Sequence, residues 1–346
     1  MRDNFEKLGD ISAGIVAGLK PTRAIEIVRP SSREEWLAGK MTTVGGSELP
    51  SLFGVSKHQS AYALFAEKSG LAKREFPEIE IRENSVCIPP TGRGNLFEDD
   101  AIECMRLLRP TWTVSPNPVP GGGCVYVDQQ ARMSSTPDTF LWDPARPGKK
   151  GTLQIKSMAQ MVFDREWKQD GEIVPPLSAA IQAIDDATLS DCAFAYVGAF
   201  VANFNIDFYL IEVPLHPQLM VKARELVADF WRRIAENDPY SPDFDRDGWM
   251  IAQIYSEAEA GAEVDLSGNN RISELLAKRD GYKATEKNGS EAEKARKSLD
   301  AEIINMLGNA ARGRLADGRL IEAPTTHRKG YMVNPSTYRT IKVKAA

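Results

Sequence analysis

A succession of strand-like segments, interrupted by one helix, constrains the fold of this chain more than any other feature. The segments are rich in β-branched and aromatic residues and are bounded by Gly, Pro, Asn or Asp, as strands usually are. Three of them precede the helix and two follow it, at residues 124–130, 133–142, 152–157, 193–201 and 206–213. The helix between them covers about residues 177–189. Strands on both sides of a helix predict an α/β fold, in which helices pack against a sheet.

Further helices flank this segment in the sequence. Apolar residues recur at three- and four-residue spacing over about residues 93–108 and again over 219–234. Ser32 and Ser60 suit the N-caps of two shorter helices, because their side-chain oxygens can accept backbone hydrogen bonds. We therefore expect helices to cover the predicted sheet.

The composition changes after about residue 237 and divides the chain into four predicted parts. They are an N-terminal arm with a strand at its end, a main domain, a linker rich in Asp and Pro, and a C-terminal extension, at residues 1–30, 31–237, 238–268 and 269–346. In the extension, two highly charged helices near residues 270–287 and 290–307 are expected to pair as a hairpin. The chain then ends in β structure, which begins at Leu315 and turns at Asp317-Gly318.

The composition also argues against several classes of protein. Only three histidines and four scattered cysteines are present, which disfavours zinc sites, a disulfide framework and a serine–histidine hydrolase. No apolar run is long enough to span a membrane, and residues 1–10 lack the apolar segment of a signal peptide, so we expect a cytoplasmic protein without membrane partners. The net charge of −5 gives no overall attraction to nucleic acid. Any chemistry therefore depends on carboxylates, amides and lysine.

One pair of segments offers these groups in the combination that phosphodiester hydrolysis needs. That reaction uses oxygen ligands to hold Mg²⁺ and a cation near the attacking water. If the second and third predicted strands pair in antiparallel fashion, Asp138 approaches a strand on which Gln154 and Lys156 share one face. Asp138, Gln154 and the backbone of Ile155 are then candidate metal ligands. Lys156 is the candidate for orienting water and offsetting the developing charge.

The order Thr136-Pro137-Asp138 and then Gln154-Ile155-Lys156 resembles the PD-(D/E)xK signature of nucleases, with glutamine where an acidic residue is usual. Further segments, in matching order, resemble the YqaJ and lambda exonuclease family. They are VGGSE at 44–48, LFGVS at 52–56, ALFAEKSG at 63–70, RGNLFE at 93–98 and IQ at 181–182. The resemblance covers about residues 32–235.

This resemblance implies a restriction-endonuclease-like core, an α/β fold whose mixed central β-sheet is flanked by helices. The C-terminal helical hairpin and β-rich extension resemble additions that phage members carry. Members of the family use two Mg²⁺ ions per site, with Mn²⁺ as an alternative, on the ends of double-stranded DNA. Many digest from a 5′ end, form homo-oligomeric rings such as trimers, and supply a 3′ overhang to a single-strand annealing protein. The resemblance thus implies a metal-dependent 5′-to-3′ exonuclease of phage-type recombination.

The resemblance also assigns further site residues. Glu98 takes the position of an additional metal-site glutamate, and Gln182 that of an active-site glutamine. Lys40, Ser47 and Thr136 stand where the family contacts the terminal phosphate of the DNA. Thr136 in place of serine keeps a hydroxyl, while Lys40 in place of arginine keeps the charge without the bidentate fork.

Gln154 is the departure from the family pattern that matters most, because an amide removes one negative charge from the metal site. Three interpretations remain open: a natural variant that is active, an engineered substitution that inactivates the site, and a natural loss of catalysis. The alternative function is therefore a catalytically weakened or inactive protein on the same fold, which acts in binding DNA ends or in assembly. The sequence decides neither the polarity of digestion nor between exonuclease and endonuclease action.

Overall fold

The computed structural model describes residues 25–73, 79–117, 123–285, 290–328 and 336–344. The chain forms two compact units. The first unit contains the described residues up to 57 and those between 79 and 238, and the second contains the described residues at 58–73 and after 238. The N-terminal arm expected at residues 1–30 lies outside the described residues up to position 24, and its strand is present at Glu26–Val28.

The described residues contain both helices and strands throughout. The helices are α1 (Arg33–Thr42), α2 (Leu49–Leu52), α3 (Ala61–Lys68), α4 (Pro90–Leu96), α5 (Glu98–Leu108), α6 (Gln160–Glu166), α7 (Leu177–Leu189), α8 (Pro217–Glu236), α9 (Phe244–Ile254), α10 (Asn270–Thr285) and α11 (Ser290–Leu307). Among the described residues, none of these helices is both long enough and apolar enough to cross a membrane.

The strands of the described residues are β1 (Glu26–Val28), β2 (Val44–Gly45), β3 (Glu80–Arg82), β4 (Ser85–Cys87), β5 (Thr113–Pro116), β6 (Val125–Asp128), β7 (Met133–Ser135), β8 (Thr139–Trp142), β9 (Gly151–Ala159), β10 (Lys168–Gln169), β11 (Glu172–Ile173), β12 (Phe194–Ala202), β13 (Ile206–Val213), β14 (Glu259–Asp265), β15 (Ala310–Arg314), β16 (Leu320–Glu322), β17 (Thr325–Arg328), β18 (Ser336–Arg339) and β19 (Lys342–Lys344).

The first unit is built on a five-stranded sheet with the strand order β13-β12-β9-β8-β5. β9 and β12 run parallel, whereas the other neighbouring strands of this sheet are antiparallel, so the sheet is mixed. β9 and β12 are buried along most of their length. The near-continuous apolar sequence of β12 is typical of a parallel strand that lies inside a sheet and is covered on both faces.

Helices cover both faces of this sheet. Because successive residues of a strand point to opposite faces, odd- and even-numbered residues of β9 lie on different faces of the sheet. Leu153 of β9 lies in a buried cluster with Met105 of α5. Lys156, on the opposite face of β9, reaches Gln182 of α7. The predicted fold class, an α/β fold with a mixed central sheet flanked by helices, is confirmed.

The strand predicted at residues 133–142 is in fact two strands that belong to different sheets. β7 lies in a four-stranded sheet of order β1-β6-β7-β2, whereas β8 lies in the central sheet. The break contains Pro137, which has no N–H with which to continue a ladder. Only β8 pairs in antiparallel fashion with β9. Asp138 therefore immediately precedes a central strand.

The helix predicted at residues 93–108 is also divided. The N–H of Phe97 donates to the carbonyl of Arg93 at the end of α4, and α5 begins at the next residue, Glu98. Glycines at positions 92 and 94 give the first part a weak helix propensity. The break makes Glu98 the first residue of α5, with a partly buried side chain.

The second unit combines α3, α9, α10 and α11 with a four-stranded sheet of order β14-β15-β16-β19. α10 and α11 form the predicted hairpin, since Ile272 and Leu276 of the first helix share a buried core with Ile303 and Leu307 of the second. The residues between the two helices, 286–289, lie outside the described residues. Within the described residues, the predicted C-terminal β structure is present as β15 to β19.

Residues 238–268, which the composition predicts to be a linker, contain α9 and β14 instead. Met250 and Ile251 of α9 are fully buried, as core residues are. The acidic composition belongs in part to the start of that helix, where Asp243 Oδ1 accepts the N–H of Asp245 at 3.2 Å. Asp is favoured at helix starts, so its abundance here marks a cap rather than a flexible segment.

α3 lies within the predicted main domain of residues 31–237 in sequence but packs in the second unit. Ser60, which caps α3, donates through its hydroxyl to Oδ1 of buried Asp247 at 2.6 Å. Tyr62 and Ala66 of α3 join the buried core of that unit. The periodic pattern identifies the helix correctly, but it contains no information about which core the helix joins.

Candidate active site

Asp138 is held against β9 by two hydrogen bonds. Its Oδ2 accepts the backbone N–H of Ile155 at 2.7 Å and the side-chain Nε2–H of Gln154. The register in which Thr139 lies opposite Leu153 brings the residue before β8 next to these two positions. The carbonyl oxygen of Ile155 lies 3.5 Å from Nε2 of Gln154. Three of the four predicted metal ligands are therefore in contact with one another.

Lys156 lies two residues after Gln154 and so on the same face of β9. Its Nζ donates to Oε1 of Gln182 on α7 at 2.8 Å. Ala180 and Ala183 of α7 are buried, and such small side chains allow the helix to approach the sheet closely. The glutamine predicted from the family resemblance is thus brought next to the predicted catalytic lysine.

Glu98, at the start of α5, lies near enough to Asp138 for the charge of Asp138 to raise the pKa of Glu98. Burial, and to a smaller extent the charges of Asp138 and Asp99, together raise the pKa of Glu98 to about 7. The start of a helix is a favourable place for a carboxylate, because the backbone N–H groups there carry partial positive charge. The two predicted carboxylate ligands therefore face a common region, where their like charges oppose each other.

Burial has the largest effect on the pKa of Asp138 and on the pKa of Lys156. It raises the pKa of Asp138, while Lys156 and the hydrogen bonds from Ile155 and Gln154 oppose that shift. Burial also lowers the pKa of Lys156, and the charges of Asp138 and Asp186 oppose that shift. Buried charges persist only when they are paired or ligated. The charged forms of Asp138 and Lys156 therefore stabilise each other, and the hydrogen bonds from Ile155 and Gln154 also stabilise the Asp138 carboxylate.

The oxygen donors of this region suit a divalent cation such as Mg²⁺. Oε1 of Gln154 is buried and has no hydrogen-bond partner among the described residues. Glu98 and Asp138 add carboxylates and Ile155 adds a carbonyl, and Mg²⁺ prefers such ligands. In the part of the chain that the structure describes, no group of three His, Cys, Asp or Glu side chains could hold a metal. These four residues could hold Mg²⁺, with an amide where a third acid would stand.

The residues predicted to contact a terminal phosphate lie at one end of two paired strands. β2 and β7 pair in parallel with Gly45 opposite Ser134, so Ser47 and Thr136 each follow a paired residue by two positions. Ser47 is exposed and Thr136 is partly buried. The Nζ of Lys40 lies 4.3 Å from the centre of the Trp36 ring. A methyl group added at Gly45 would meet the Lys40 side chain at 3.6 Å, so Lys40 lies beside β2.

The sequence reasoning missed two buried acids on α7. Asp185 and Asp186 are 0% and 1% exposed. Ser135 donates through its hydroxyl to Oδ1 of Asp186 at 2.6 Å. A side chain at Gly46 would meet Oδ2 of Asp185 at 2.8 Å, which explains the glycine there. Two adjacent acids within an otherwise apolar helical segment are the signal from which they could have been found.

No known family model and no curated protein matches this chain. A crystal structure of an alkaline exonuclease, LHK-Exo from Laribacter hongkongensis, aligns with 59% of this chain and 94% of its own, at 16% identity and a TM-score of 0.44. The crystal structure of LHK-Exo in complex with dAMP aligns over the same shares, at 15% identity and a TM-score of 0.42. At this level of similarity, the function of the chain has to be inferred from its own site residues.

Proposed function

We propose that this protein is a divalent-metal-dependent deoxyribonuclease that digests linear double-stranded DNA from its ends. The observation that carries the proposal is the contact of Asp138 with Gln154 and Ile155 on β9, with Lys156 on the same face of that strand. Such a set of oxygen donors next to a lysine suits metal-dependent phosphodiester hydrolysis. The mixed sheet between α5 and α7 further supports a restriction-endonuclease-like core.

In the proposed site, Glu98, Asp138, the amide oxygen of Gln154 and the carbonyl of Ile155 hold Mg²⁺ or Mn²⁺, with two ions per site by the family resemblance. Bound metal supplies polarisation of the phosphate and activation of water. The protein contributes the positions of the oxygens: the backbone N–H of Ile155 keeps the Asp138 carboxylate against β9. Because this hydrogen bond already holds the carboxylate in place, Asp138 would need little reorganisation to act as a ligand.

Lys156 has a separate role in the proposed reaction. The hydrogen bond from its Nζ to Gln182 Oε1 keeps the ammonium group on the active face of β9. There it orients the attacking water and offsets the negative charge that develops on the phosphate. Gln182 acts through Lys156 and is a positioning residue.

The end preference is proposed to come from Lys40, Ser47 and Thr136. A terminal phosphate can accept hydrogen bonds from a lysine ammonium and from two hydroxyl groups. If they bind the 5′ phosphate, the next phosphodiester of the same strand lies towards the metal site, and digestion proceeds from 5′ to 3′. The family resemblance extends this proposal to a homo-oligomeric ring, such as a trimer, that hands a 3′ overhang to a single-strand annealing protein.

The second candidate function is a catalytically silent protein that binds DNA ends on the same fold. Gln154 favours it, because the amide brings no charge to the site and its Nε2 donates to the Asp138 carboxylate. A site that binds metal weakly would still leave Lys40, Ser47 and Thr136 able to bind DNA. The two functions differ in whether bound linear DNA is degraded.

Linear duplex labelled at the 5′ or the 3′ end, together with a closed circular duplex, distinguishes the two functions. Each is incubated with Mg²⁺, with Mn²⁺ or with a chelator, and binding is measured in parallel. The proposal predicts metal-dependent release of the 5′ label from linear duplex while the circle stays intact. Binding without degradation in either metal would support the silent protein, and cutting of the circle would indicate an endonuclease.

A further inference from the structure

Each of the two hydroxyl residues in the proposed phosphate pocket directly follows a buried residue. Ser47 follows Gly46, and Thr136 follows Ser135. Gly46 and Ser135 are buried, whereas Ser47 is exposed and Thr136 is partly buried. Consecutive residues are joined by a planar peptide that keeps their Cα atoms at a constant separation. The packing of each buried residue therefore restricts where the hydroxyl residue after it can lie.

Ser135 is held against α7 by its side chain. Its hydroxyl donates to Oδ1 of Asp186 at 2.6 Å. Both side chains are buried, at 2% and 1% exposed, so bulk water does not compete for this hydrogen bond. Loss of one partner would leave a buried polar group unsatisfied, which is costly. The hydrogen bond therefore fixes the end of β7 against α7.

Gly46 packs closely against the same part of α7. A methyl group added at this position would meet Oδ2 of Asp185 at 2.8 Å. It would also lie 3.5 Å from Oδ1 of Asp186 and from Cγ of Gln182. Residues 182, 185 and 186 are three and four positions apart, so they share one face of the helix. The backbone before Ser47 is thus seated on that face.

The two segments are also bonded to each other. The N–H of Gly46 donates to the carbonyl of Ser134 on β7 at 3.0 Å. The hydroxyls of Thr43 and Ser134 lie 2.7 Å apart in a buried hydrogen bond. Oδ1 of Asp186 is the atom that both accepts from Ser135 and lies close to Gly46. Asp186 is therefore the point at which α7 meets both segments.

We propose that Asp186 positions the terminal-phosphate pocket of this protein, through its hydrogen bond to Ser135 and its close packing against Gly46. The hydroxyls that it places in this way are those of Thr136 and Ser47. This inference rests on the proposed function, in which these hydroxyls bind the 5′ phosphate of a DNA end. Hydrogen bonds to a phosphate depend on geometry, so the hydroxyls contribute only where the backbone holds them.

The helix that carries Asp186 also holds the proposed catalytic lysine. Gln182 takes part on both sides: its Oε1 accepts from Nζ of Lys156 at 2.8 Å, and its Cγ lies beside Gly46. Gln182 and Asp186 are one helical turn apart. A terminal phosphate in the pocket is therefore positioned by the same helix that positions Lys156.

The test compares duplex that carries a 5′ phosphate with duplex that carries a 5′ hydroxyl. The ratio of kcat/KM for the two substrates, and the ratio of their dissociation constants in a chelator, measure the pocket. Ser135→Ala removes the hydroxyl that binds Asp186, and Ser135→Thr keeps one. Ser190→Ala is the matched control, because Ser190 is also 2% exposed and donates to the backbone carbonyl of Asp186 at 2.5 Å. The unfolding midpoint is measured for every variant.

Ser135→Ala is expected to reduce both ratios at least about fivefold, because the Thr136 hydroxyl is then no longer held towards the phosphate. Ser135→Thr and Ser190→Ala should stay within about twofold of the parent, although Ser190→Ala should lower the unfolding midpoint. In a double-mutant cycle with Thr136→Val, Ser135→Ala should change the ratios by less than about twofold further, because the hydroxyl that it positions is already absent.

Two substitutions of Asp186 separate its hydrogen bond from its charge. Asp186→Asn keeps an oxygen that can accept from Ser135, so the ratios should stay within about twofold of the parent. Asp186→Ala removes the acceptor and should reduce the ratios as much as Ser135→Ala does. Equal losses for the two substitutions of Asp186 would mean that the hydrogen bond is not what positions the pocket, and would overturn the inference.

Unchanged ratios in Ser135→Ala, or equal losses in Ser135→Ala and Ser190→Ala, would also overturn the inference. So would losses that multiply in the double mutant, because Ser135 would then not act through Thr136. If Ser135→Ala does not fold, Ser135→Cys replaces it, since a thiol is only a weak donor, and the same loss is expected at smaller size.

The two ratios also separate this inference from the proposed function. A parent protein that digests both duplexes equally and binds them equally overturns the inference and leaves the nuclease function standing. A parent that binds the 5′-phosphorylated duplex preferentially but degrades no DNA contradicts the nuclease function, and the binding ratios of the variants then decide the role of Asp186. A parent with neither degradation nor preferential binding contradicts both.

Discussion

Replacing Gln154 by glutamate is expected to strengthen divalent-cation binding, because it returns a negative charge to the site. The Gln154 side chain is only 3% exposed, so the new charge would act in a poorly screened region. Two unit charges about 4 Å apart interact by about 4 kcal/mol at an effective dielectric of about 20. Desolvation of the new carboxylate offsets much of this. A net gain of about 1.4 kcal/mol, or about tenfold in Mg²⁺ affinity, is the minimum that we expect.

The same substitution should destabilise the metal-free protein. It replaces the Nε2 donor to Asp138 by a second carboxylate, so a buried hydrogen bond is lost and two like charges meet. Loss of such a bond costs about 1–3 kcal/mol, and the repulsion adds to it. The unfolding midpoint without metal should fall, whereas the increase caused by Mg²⁺ should become larger than in the parent.

Calorimetric titration with Mg²⁺ and Mn²⁺, thermal unfolding with and without metal, and cleavage rates at low metal concentration measure these effects. Gln160→Glu is a matched control, because Gln160 Nε2 donates to Asp164 at 2.9 Å on the exposed surface of α6. That change should leave metal affinity unaltered. If Gln154→Glu also leaves affinity, stability and rate unchanged, residue 154 is not a ligand and the proposed placement of the metal is wrong.

Three further predictions concern other parts of the site. Alanine at Asp138 or Lys156 should lower the initial rate of cleavage of linear duplex by at least about a hundredfold, because each change removes a preorganised charged group. Duplex with a 5′ phosphate should be digested faster than duplex with a 5′ hydroxyl, and Thr136→Val should reduce that preference; equal rates at all salt concentrations would count against the phosphate contacts. Burial together with the charges of Asp138 and Asp99 raises the pKa of Glu98 from 4.5 to about 7, so folding favours its protonated form. The contribution of protonated Glu98 to stability is present below about pH 4.5 and is lost as the pH rises through about 7. Because a metal ion binds the ionised carboxylate, Mg²⁺ should raise the unfolding midpoint more at about pH 8 than at about pH 6. Glu98→Gln should reduce this difference between the two pH values.

The sequence predicts elements well where one periodic pattern runs without interruption. The helix at residues 177–189 and the strand at 206–213 have the predicted bounds. The strand at 133–142 was predicted as one element because its apolar residues continue across Pro137. The missing N–H of that proline separates β7 from β8, and the separation is what presents Asp138 to β9.

The assignment of segments to units could not be predicted from local pattern. α3 has an ordinary helical stripe, but its partner Asp247 is 187 residues away from Ser60 in the chain. The residues between 238 and 268 have the composition of a linker, and only tertiary packing shows that Met250 is a core residue. Local composition reports how polar a segment is and not what the segment packs against.

For the site, the motif predicts the neighbours on β9 but not the acid on α7. The spacing of Gln154 and Lys156 gives a shared face directly, since side chains alternate along a strand. Asp186 belongs to no part of the motif, and an acid in a helix is usually taken to face solvent. Its burial follows from the packing of α7 against the central sheet, which no local pattern contains.

Cleavage of linear duplex DNA by the parent protein and by Asp138→Asn, measured side by side under single-turnover conditions, tests the central claim most directly. Asparagine keeps the size of the side chain and removes the charge of the carboxylate that β9 holds. The account predicts that the parent degrades the duplex with Mg²⁺ or Mn²⁺ and not with a chelator. It further predicts that Asp138→Asn is at least about a hundredfold slower at equal stability. Equal rates for the two proteins, or cleavage that persists in the chelator, would contradict it.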